Sequence, residues 1–307
     1  MSEYHIPVLL HESVDALVVD KGGVYADATF GGGGHSTEIL SRLDSGGRLI
    51  AFDQDEDAVR NCPVKDTRLT LIRNNFRFIQ NFIIAEGYRD GIDGILADLG
   101  VSSHQFDTAD RGFSFRFEAP LDMRMNKEAG TSAADIVNGY TQENLEKVFR
   151  LYGEVENSRK IAALICQWRS RKPVRTTGDL YEAISPVIPK LAGHKFLAKI
   201  YQALRIEVNQ EMKSLGKFLS GAAAVLKPGG RLVVITYHSL EDRMVKNFIR
   251  TGNIEGKEEK DIYGRTSAPF RAVNRKPVVP QESEISANTR ARSAKLRIAE
   301  RTADPRR

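Results

Sequence analysis

Residues 24–39 read VYADATFGGGGHSTEI. A β-rich run from Val24 to Phe30 breaks into four glycines and restarts as a helix at Ser36, with Ile39, Leu40 and Leu43 on one face. Glycines between a strand and a helix let the backbone approach a ligand without a Cβ in the way, and the first N–H groups of the helix stay open toward it. Such a turn suits a nucleotide-like guest.

The flanking sequence repeats the strand–helix rhythm. Arg48 to Asp53 (RLIAFD) reads as a second strand, Asp55 to Asn61 as a short helix, Leu69 to Arg73 (LTLIR) as a third strand, Phe78 to Glu86 as a helix and Asp93 to Asp98 (DGILAD) as a fourth strand. That alternation implies a parallel sheet with helices on both faces. After Asp98 the rhythm stops. From about Asp110 to Arg205 no convincing strand is present, but amphipathic helices are, one carrying Leu145, Val148, Phe149 and Tyr152 and the next Ile161, Leu164, Ile165 and Trp168. Asn209 to Leu226 then reads as one long helix, Lys227-Pro-Gly-Gly230 as a turn, Arg231 to Tyr237 (RLVVITY) as a fifth strand and Leu240 to Arg250 as a helix. A polar, proline-bearing stretch from Lys257 to Glu284 is expected to be irregular, with a last strand near Lys295 to Ala299. The expected architecture is α/β: a Rossmann-like sheet in two parts, 1–109 and 206–307, interrupted by an all-helical domain at 110–205.

Composition bounds the rest. A chain of 307 residues with 41% hydrophobic residues and a mean hydropathy of −0.35 is expected to be soluble and globular. No apolar run approaches the ~20 residues a membrane span needs, and the N-terminus lacks the marks of a secretory signal, so a cytoplasmic protein without a membrane partner is expected. Cys62 and Cys166 stand alone, in no disulfide or zinc spacing. Residues 243–307 hold 16 Lys/Arg against 8 Asp/Glu, a balance of +8, while the whole chain is only +5. A cationic end is what a polyanion binder shows, although a solvated tail accounts for it as well.

The glycine loop discriminates between cofactors. A dinucleotide fingerprint counted from Gly31 and Gly33 wants a third glycine where Ser36 stands, which disfavours a nicotinamide oxidoreductase. Asp27-x-Thr29-x-Gly31-x-Gly33 instead fits the pattern of S-adenosylmethionine methyltransferases. Asp53, 22 residues after Gly31, ends the second strand where a carboxylate can accept from ribose hydroxyls, and Asp98 ends the fourth, beside the point where ligands of such sheets sit. Asp53-x-Asp55-x-Asp57 is no calcium loop, because Ala58 and Val64 stand where a glycine and a glutamate are needed.

FGGGGHS (30–36), LADLGVSSHQFD (96–107), RGFSFR (111–116), PLDMRM (120–125), YHSLEDRMVK (237–246) and RARSAKLRIAER (290–301) closely resemble the bacterial ribosomal RNA small subunit methyltransferase H family. The match runs from His5 almost to the C-terminus. It implies S-adenosylmethionine-dependent methylation of the exocyclic N4 of one cytidine in 16S rRNA, near the decoding site, with rRNA in the small ribosomal subunit as partner. A homodimer is compatible with it. It also implies cofactor contacts at Gly33, Gly34, His35, Asp53, Phe76, Asp98 and Gln105. Gly32 is one departure, since a member of that family carries a larger polar residue there.

The chemistry can be read from the residues too. Methylation at C5 of cytosine would need a cysteine nucleophile, and neither cysteine lies at a strand end. An amine acceptor needs only alignment and a hydrogen-bond acceptor that gains strength as its nitrogen pyramidalises. Asp98 is the candidate acceptor, with a purely cofactor-holding role as its alternative; His238 is the second candidate, with a structural histidine as the alternative. Arg111, Arg116, Arg124, Arg243 and the C-terminal arginines are candidates for phosphate contacts, and Phe113, Phe115 or Tyr237 for stacking on a base, although aromatic residues at such spacing are more often packing elements. A ribosome-assembly factor that binds RNA and cofactor without catalysis is the competing reading.

Overall fold

Tyr25, Leu49, Leu96, Val233 and Ile235 face one side of a sheet and Ala26, Ile50, Ile95, Leu232 and Val234 the other, and all ten are buried. Successive strand residues point to opposite faces, so a sheet apolar at every position must be covered twice. A computed structural model, which describes residues 7–128, 130–258 and 268–303, has both covers. Helices Leu10–Leu17 and Gly34–Arg42 close the first face; Ile79–Ala85, Glu211–Val225 and Ser239–Thr251 close the second.

The strands are β1 (Val24–Asp27), β2 (Arg48–Asp53), β3 (Leu69–Arg73), β4 (Ile92–Asp98), β5 (Leu226–Thr236), β6 (Phe270–Ala272) and β7 (Lys295–Arg301). Their order is β3-β2-β1-β4-β5-β7-β6; the first five run parallel, and β7 is antiparallel to both β5 and β6. The chain works outward from β1 to β3 and then returns to place β4 on the other side of β1. That reversal opens a crevice beyond the C-terminal ends of β1 and β4, the usual ligand position in such sheets.

The helix expected over 209–226 is Glu211–Val225, and it follows directly on another, Gly193–Asn209, which ends where Gln210 turns left-handed at φ 50° with no glycine or proline to mark the break. Two stretches differ from the sequence reading. β5 begins at Leu226, pairs with Ile92, bulges out through 227–230 and resumes as Arg231 pairs with Gly94, so the expected turn lies inside a strand. The stretch expected to be irregular contains β6 and helix Glu282–Ala287, while its residues 259–267 lie outside the described residues, as do His5 and the arginines at 306 and 307.

The chain divides into two compact units, Met1–Gly100 with Met212–Arg307, and Val101–Glu211. The second starts nine residues earlier and ends six later than the expected 110–205. Its apolar side chains explain the difference at the start, since Val101 and Phe106 pack against its core. At the other end Asn209 donates to Met123 O and accepts from Met125 N, both at 2.8 Å, tying the helix end to the same unit. Among the described residues this unit has no strand beyond the isolated bridge between Pro120 and Thr176. Helices Gln142–Gly153, Ser158–Arg169 and Gly193–Asn209 bury Leu145, Phe149, Ile161, Ile165, Ile200 and Leu204.

Several residues offered to RNA on sequence grounds are structural in this unit. Arg111 is 3% exposed and donates to the carbonyls of Arg124 and Met125, because a buried guanidinium must be satisfied internally. Arg124 holds Asp122 in a two-point ion pair. Phe113 is in the core, and Phe115 packs edge-on against Tyr201. Arg116 keeps an exposed side chain.

Candidate active site

The glycine loop after β1 is held by hydrogen bonds to the end of β2. Phe30 N donates to Phe52 O, and Gly31 N donates to Asp53 Oδ2, each at 2.8 Å. Gly33 is left-handed at φ +79° and precedes helix Gly34–Arg42, with no side chain capping that helix. A Cβ on Gly34 would sit 2.2 Å from Cγ of Pro7, a contact no atom pair tolerates. Gly32 is different: a Cβ there would meet nothing within 4 Å, and its φ is not positive. The chain's own packing does not require glycine at that position.

Asp27, at the end of β1, is fully buried and works inside the loop. Its Oδ1 accepts from Thr29 N at 3.0 Å and its Oδ2 from the Ser36 hydroxyl at 2.7 Å. Burial raises its pKa, and the bond from Ser36, the charge of His35 and the bonds from Thr29 pull it back. Ser36 occupies the place of the third dinucleotide glycine, and its hydroxyl is committed to this brace.

At the end of β2, Asp53 accepts from two backbone N–H groups, Gly31 through Oδ2 and Asp55 through Oδ1. These fix the carboxylate plane, and each oxygen keeps a second lone pair for a ligand. Burial pushes its pKa up to about 6 despite those bonds, with Asp55 and Asp27 adding repulsion. Phe76 stands three residues beyond the end of β3, the strand beside β2, and is half-buried with its ring edge-on to Phe218 at 5.2 Å. It offers an apolar surface beside the Asp53 end of the sheet.

Asp98 ends β4. Its backbone N–H donates to the Thr29 hydroxyl at 2.7 Å, so the residue that replaces one glycine in the loop pattern ties β4 to the loop. The Tyr237 hydroxyl donates to Asp98 Oδ1 at 2.7 Å, and His35 Nδ1 lies 3.8 Å from Oδ2. Burial raises the Asp98 pKa to about 6; His35 and the Tyr237 bond lower it, while Asp27 and Glu241 raise it further. Tyr237 is held well above its ordinary pKa by burial and by Asp98, so it remains the donor. Asp98 still keeps 23% of its side-chain surface open. The result is an oriented carboxylate with one oxygen tied and one edge accessible.

His238 is placed otherwise than its catalytic candidacy suggested. It is the N-cap of helix Ser239–Thr251: Nδ1 accepts from Glu241 N at 3.4 Å, and the Glu241 carboxylate reaches back to the N–H groups of Tyr237 and His238 at 2.9 and 3.4 Å. This is a capping box. The side chain is 8% exposed, and Nε2 lies 3.0 Å from Glu241 Oε1, too poorly aligned for a hydrogen bond. Gln105 belongs to the other unit, where its carboxamide accepts from Ser102 N and its own N–H donates to the Ser102 hydroxyl.

The structure thus gathers Gly33, Gly34, His35, Asp53, Phe76 and Asp98 along one end of one sheet. Sequence reading missed the Thr29 and Tyr237 contacts to Asp98, which join residues 69 and 139 apart in the chain. The His238 cap was legible in principle, since Glu241 three residues on is the usual signature.

The model of the MraW methylase family matches residues 2–302. A relative from Phocaeicola vulgatus, named ribosomal RNA small subunit methyltransferase H, is 59% identical over 298 residues, covering 97% of each chain. Relatives of the same name from Bacteroides thetaiotaomicron and Flavobacterium johnsoniae are 59% and 54% identical, each over 97% of this chain and 97% and 98% of theirs. With its glycine loop, its two strand-end carboxylates and a match that spans nearly its whole length, this chain belongs to the MraW methylase family.

Proposed function

We propose that this chain transfers the methyl group of S-adenosylmethionine to the N4 amine of a cytidine in 16S rRNA, near the decoding site. The observation that carries this reading is the Asp98 carboxylate, tied by Tyr237 and left open on one edge, at the switch point beside the glycine loop. The residues suit the cofactor: Asp53 has spare acceptor capacity for ribose hydroxyls, Phe76 offers a ring face for a base, and the uncapped helix behind Gly33 points free N–H groups at the crevice.

When bound, the cofactor supplies a methyl group on a positively charged sulfur. A nitrogen–carbon bond forms at N4 as the sulfur–carbon bond breaks, and one proton must leave N4. Asp98 accepts a hydrogen bond from N4, strengthens it as positive charge grows on nitrogen, and takes the proton. Tyr237 and Thr29 hold Asp98 in place, and Asp27 holds the loop. His238 acts on the site through the helix it caps. The amine reaches such a carboxylate only from an unpaired or extruded base, so we assign substrate recognition to the helical unit 101–211 and take the small subunit, in the cytoplasm, as the substrate's setting.

Nucleosides from small-subunit rRNA of cells with and without this gene, separated by mass, test the reading. Loss of one N4-methylated cytidine in the deletion, restored by the wild-type gene, is expected. An unchanged nucleoside profile would leave the non-catalytic assembly factor as the better account.

A further inference from the structure

The outer face of helix Ser239–Thr251 carries Arg243, Lys246 and Arg250, spaced so that they share one side. A helix of this kind ordinarily neutralises such cations with carboxylates three or four residues away. Here the one carboxylate at that spacing, Asp242, is turned inward, and its neighbour Glu241 is also taken. Glu241 closes the capping box, and Asp242, four residues before Lys246, is taken by Arg297 of β7 at 2.7 Å and by Lys295 at 3.4 Å.

The loop that follows carries the face onto the neighbouring helix. Asn247 donates to Ile254 O at 3.1 Å and Arg250 to Gly256 O at 3.3 Å, while Lys257 N donates to Asn253 Oδ1 at 3.0 Å. A Cβ on Gly216 of helix Glu211–Val225 would lie 3.4 Å from Cδ1 of Ile254, which brings Lys213 and Lys217 to the same loop. Lys213, Lys217, Lys246, Arg250 and Lys257 are all exposed, and among the described residues none of them pairs with a carboxylate. Glu255 and Glu258 are the exposed acids among the described residues of that loop, leaving five described cations against two, a surplus of three.

We infer that this face is a docking track for the phosphodiester backbone of the substrate RNA, outside the cofactor crevice. The inference rests on the RNA substrate argued above. Helix Ser239–Thr251 starts beside Tyr237, and at about 1.5 Å per residue Lys246 lies roughly 10 Å along its axis and Arg250 about 6 Å further. Lysine and arginine heads with no carboxylate partner meet phosphates without first breaking an ion pair, and each contact releases counterions. Such contacts position the substrate and read no sequence.

The test is a variant with Lys213→Glu, Lys217→Glu, Lys246→Glu and Lys257→Glu, beside a control of equal charge change at other exposed cations of the same unit, Lys21→Glu, Lys65→Glu, Arg89→Glu and Lys276→Glu. Binding to small ribosomal subunits from cells lacking the gene is measured across salt concentrations, with cofactor affinity and circular dichroism confirming that each variant is folded. The face variant is expected to weaken binding by at least about 100-fold at low salt, to lower the slope of log affinity against log salt by about 3 at roughly 0.7 per contact, and to leave cofactor affinity unchanged. The control is expected to lose much less. Equal losses in both variants would make this long-range charge and not a face; unchanged affinity and slope in the face variant would overturn the track and leave the surface to an acidic protein. In either case methyl transfer by the wild-type protein still stands, and only its absence would overturn the function on which the track rests.

Discussion

The Tyr237 hydroxyl donates a 2.7 Å hydrogen bond to Asp98 Oδ1, joining the residue after β5 to the last residue of β4 across 139 positions of chain. It fixes the direction of the carboxylate and favours its ionised form. Tyr237→Phe removes both effects. A hydrogen bond to a charged group is worth about 1.5–3 kcal/mol, so the Asp98 pKa should rise by roughly one to two units above its present value near 6. The groups around it, His35, Asp27 and Glu241, stay as they are. The acid limb of the single-turnover rate should move to higher pH by that amount, and the rate at high pH should recover most of its wild-type value. An unmoved pH profile would make the bond a packing detail.

Two strand-end carboxylates with pKa values near 6 make stability depend on pH, and Asp53 makes cofactor binding depend on it too. Because the folded values lie above those of free carboxylates, the folded protein binds more protons than the unfolded chain between about pH 4 and 6, and it loses stability as pH rises through that window. A cofactor that needs the Asp53 carboxylate ionised shows the opposite trend. Its affinity should rise with pH up to about 6 to 7 and then level off, with proton release at pH 6 visible as buffer-dependent heats in calorimetry. Asp53→Ala should remove that pH step and weaken binding by about 2 to 4 kcal/mol, through two charge-assisted bonds to the ribose. A pH-independent affinity would take Asp53 out of the cofactor site.

Gly34→Ala places a methyl 2.2 Å from the Pro7 ring, which cannot swing aside, whereas Gly32→Ala meets nothing within 4 Å. Overpacking of this kind typically costs about 1–3 kcal/mol. Thermal or urea unfolding should show that loss for Gly34→Ala and a change within about 0.5 kcal/mol for Gly32→Ala. Equal losses would mean that the four glycines act as one flexible loop.

His238→Asn keeps a good helix cap and removes the imidazole. Single-turnover rate and unfolding midpoint should both stay close to wild type, with the rate within a few-fold. His238→Ala should cost about 1 kcal/mol of stability through the lost cap. A rate loss of about 100-fold in the asparagine variant, with the fold intact, would return His238 to the chemistry.

Much of this was legible in the chain, and the limits have physical causes. The first four strands announce themselves because each is a short apolar run ended by a glycine, an aspartate or a polar turn, and the crevice follows from their order. β6 was not legible: Phe270–Ala272 has three residues and one buried side chain, and only pairing with β7 makes it a strand. The helix start at Glu211 was read to within two residues, at Asn209, but what ends the preceding helix there was not legible, because the Asn209 bonds to Met123 and Met125 join residues more than 80 positions apart. In the site, glycine spacing identified the loop, and strand ends identified Asp53 and Asp98. Whether Tyr237 stacks on a base or holds a carboxylate is a question of long-range geometry that no spacing answers.

We propose that Asp98 takes the proton from a cytidine N4 while a methyl group arrives. The most direct test is single-turnover transfer from methyl-labelled S-adenosylmethionine to small subunits from cells lacking the gene, comparing wild type with Asp98→Asn at saturating cofactor and identifying the labelled nucleoside by mass. Expected are label in N4-methylcytidine, a rate lower by at least about 100-fold in the variant, and cofactor affinity within a few-fold of wild type. Label in another nucleoside, or a variant as fast as wild type, would contradict it.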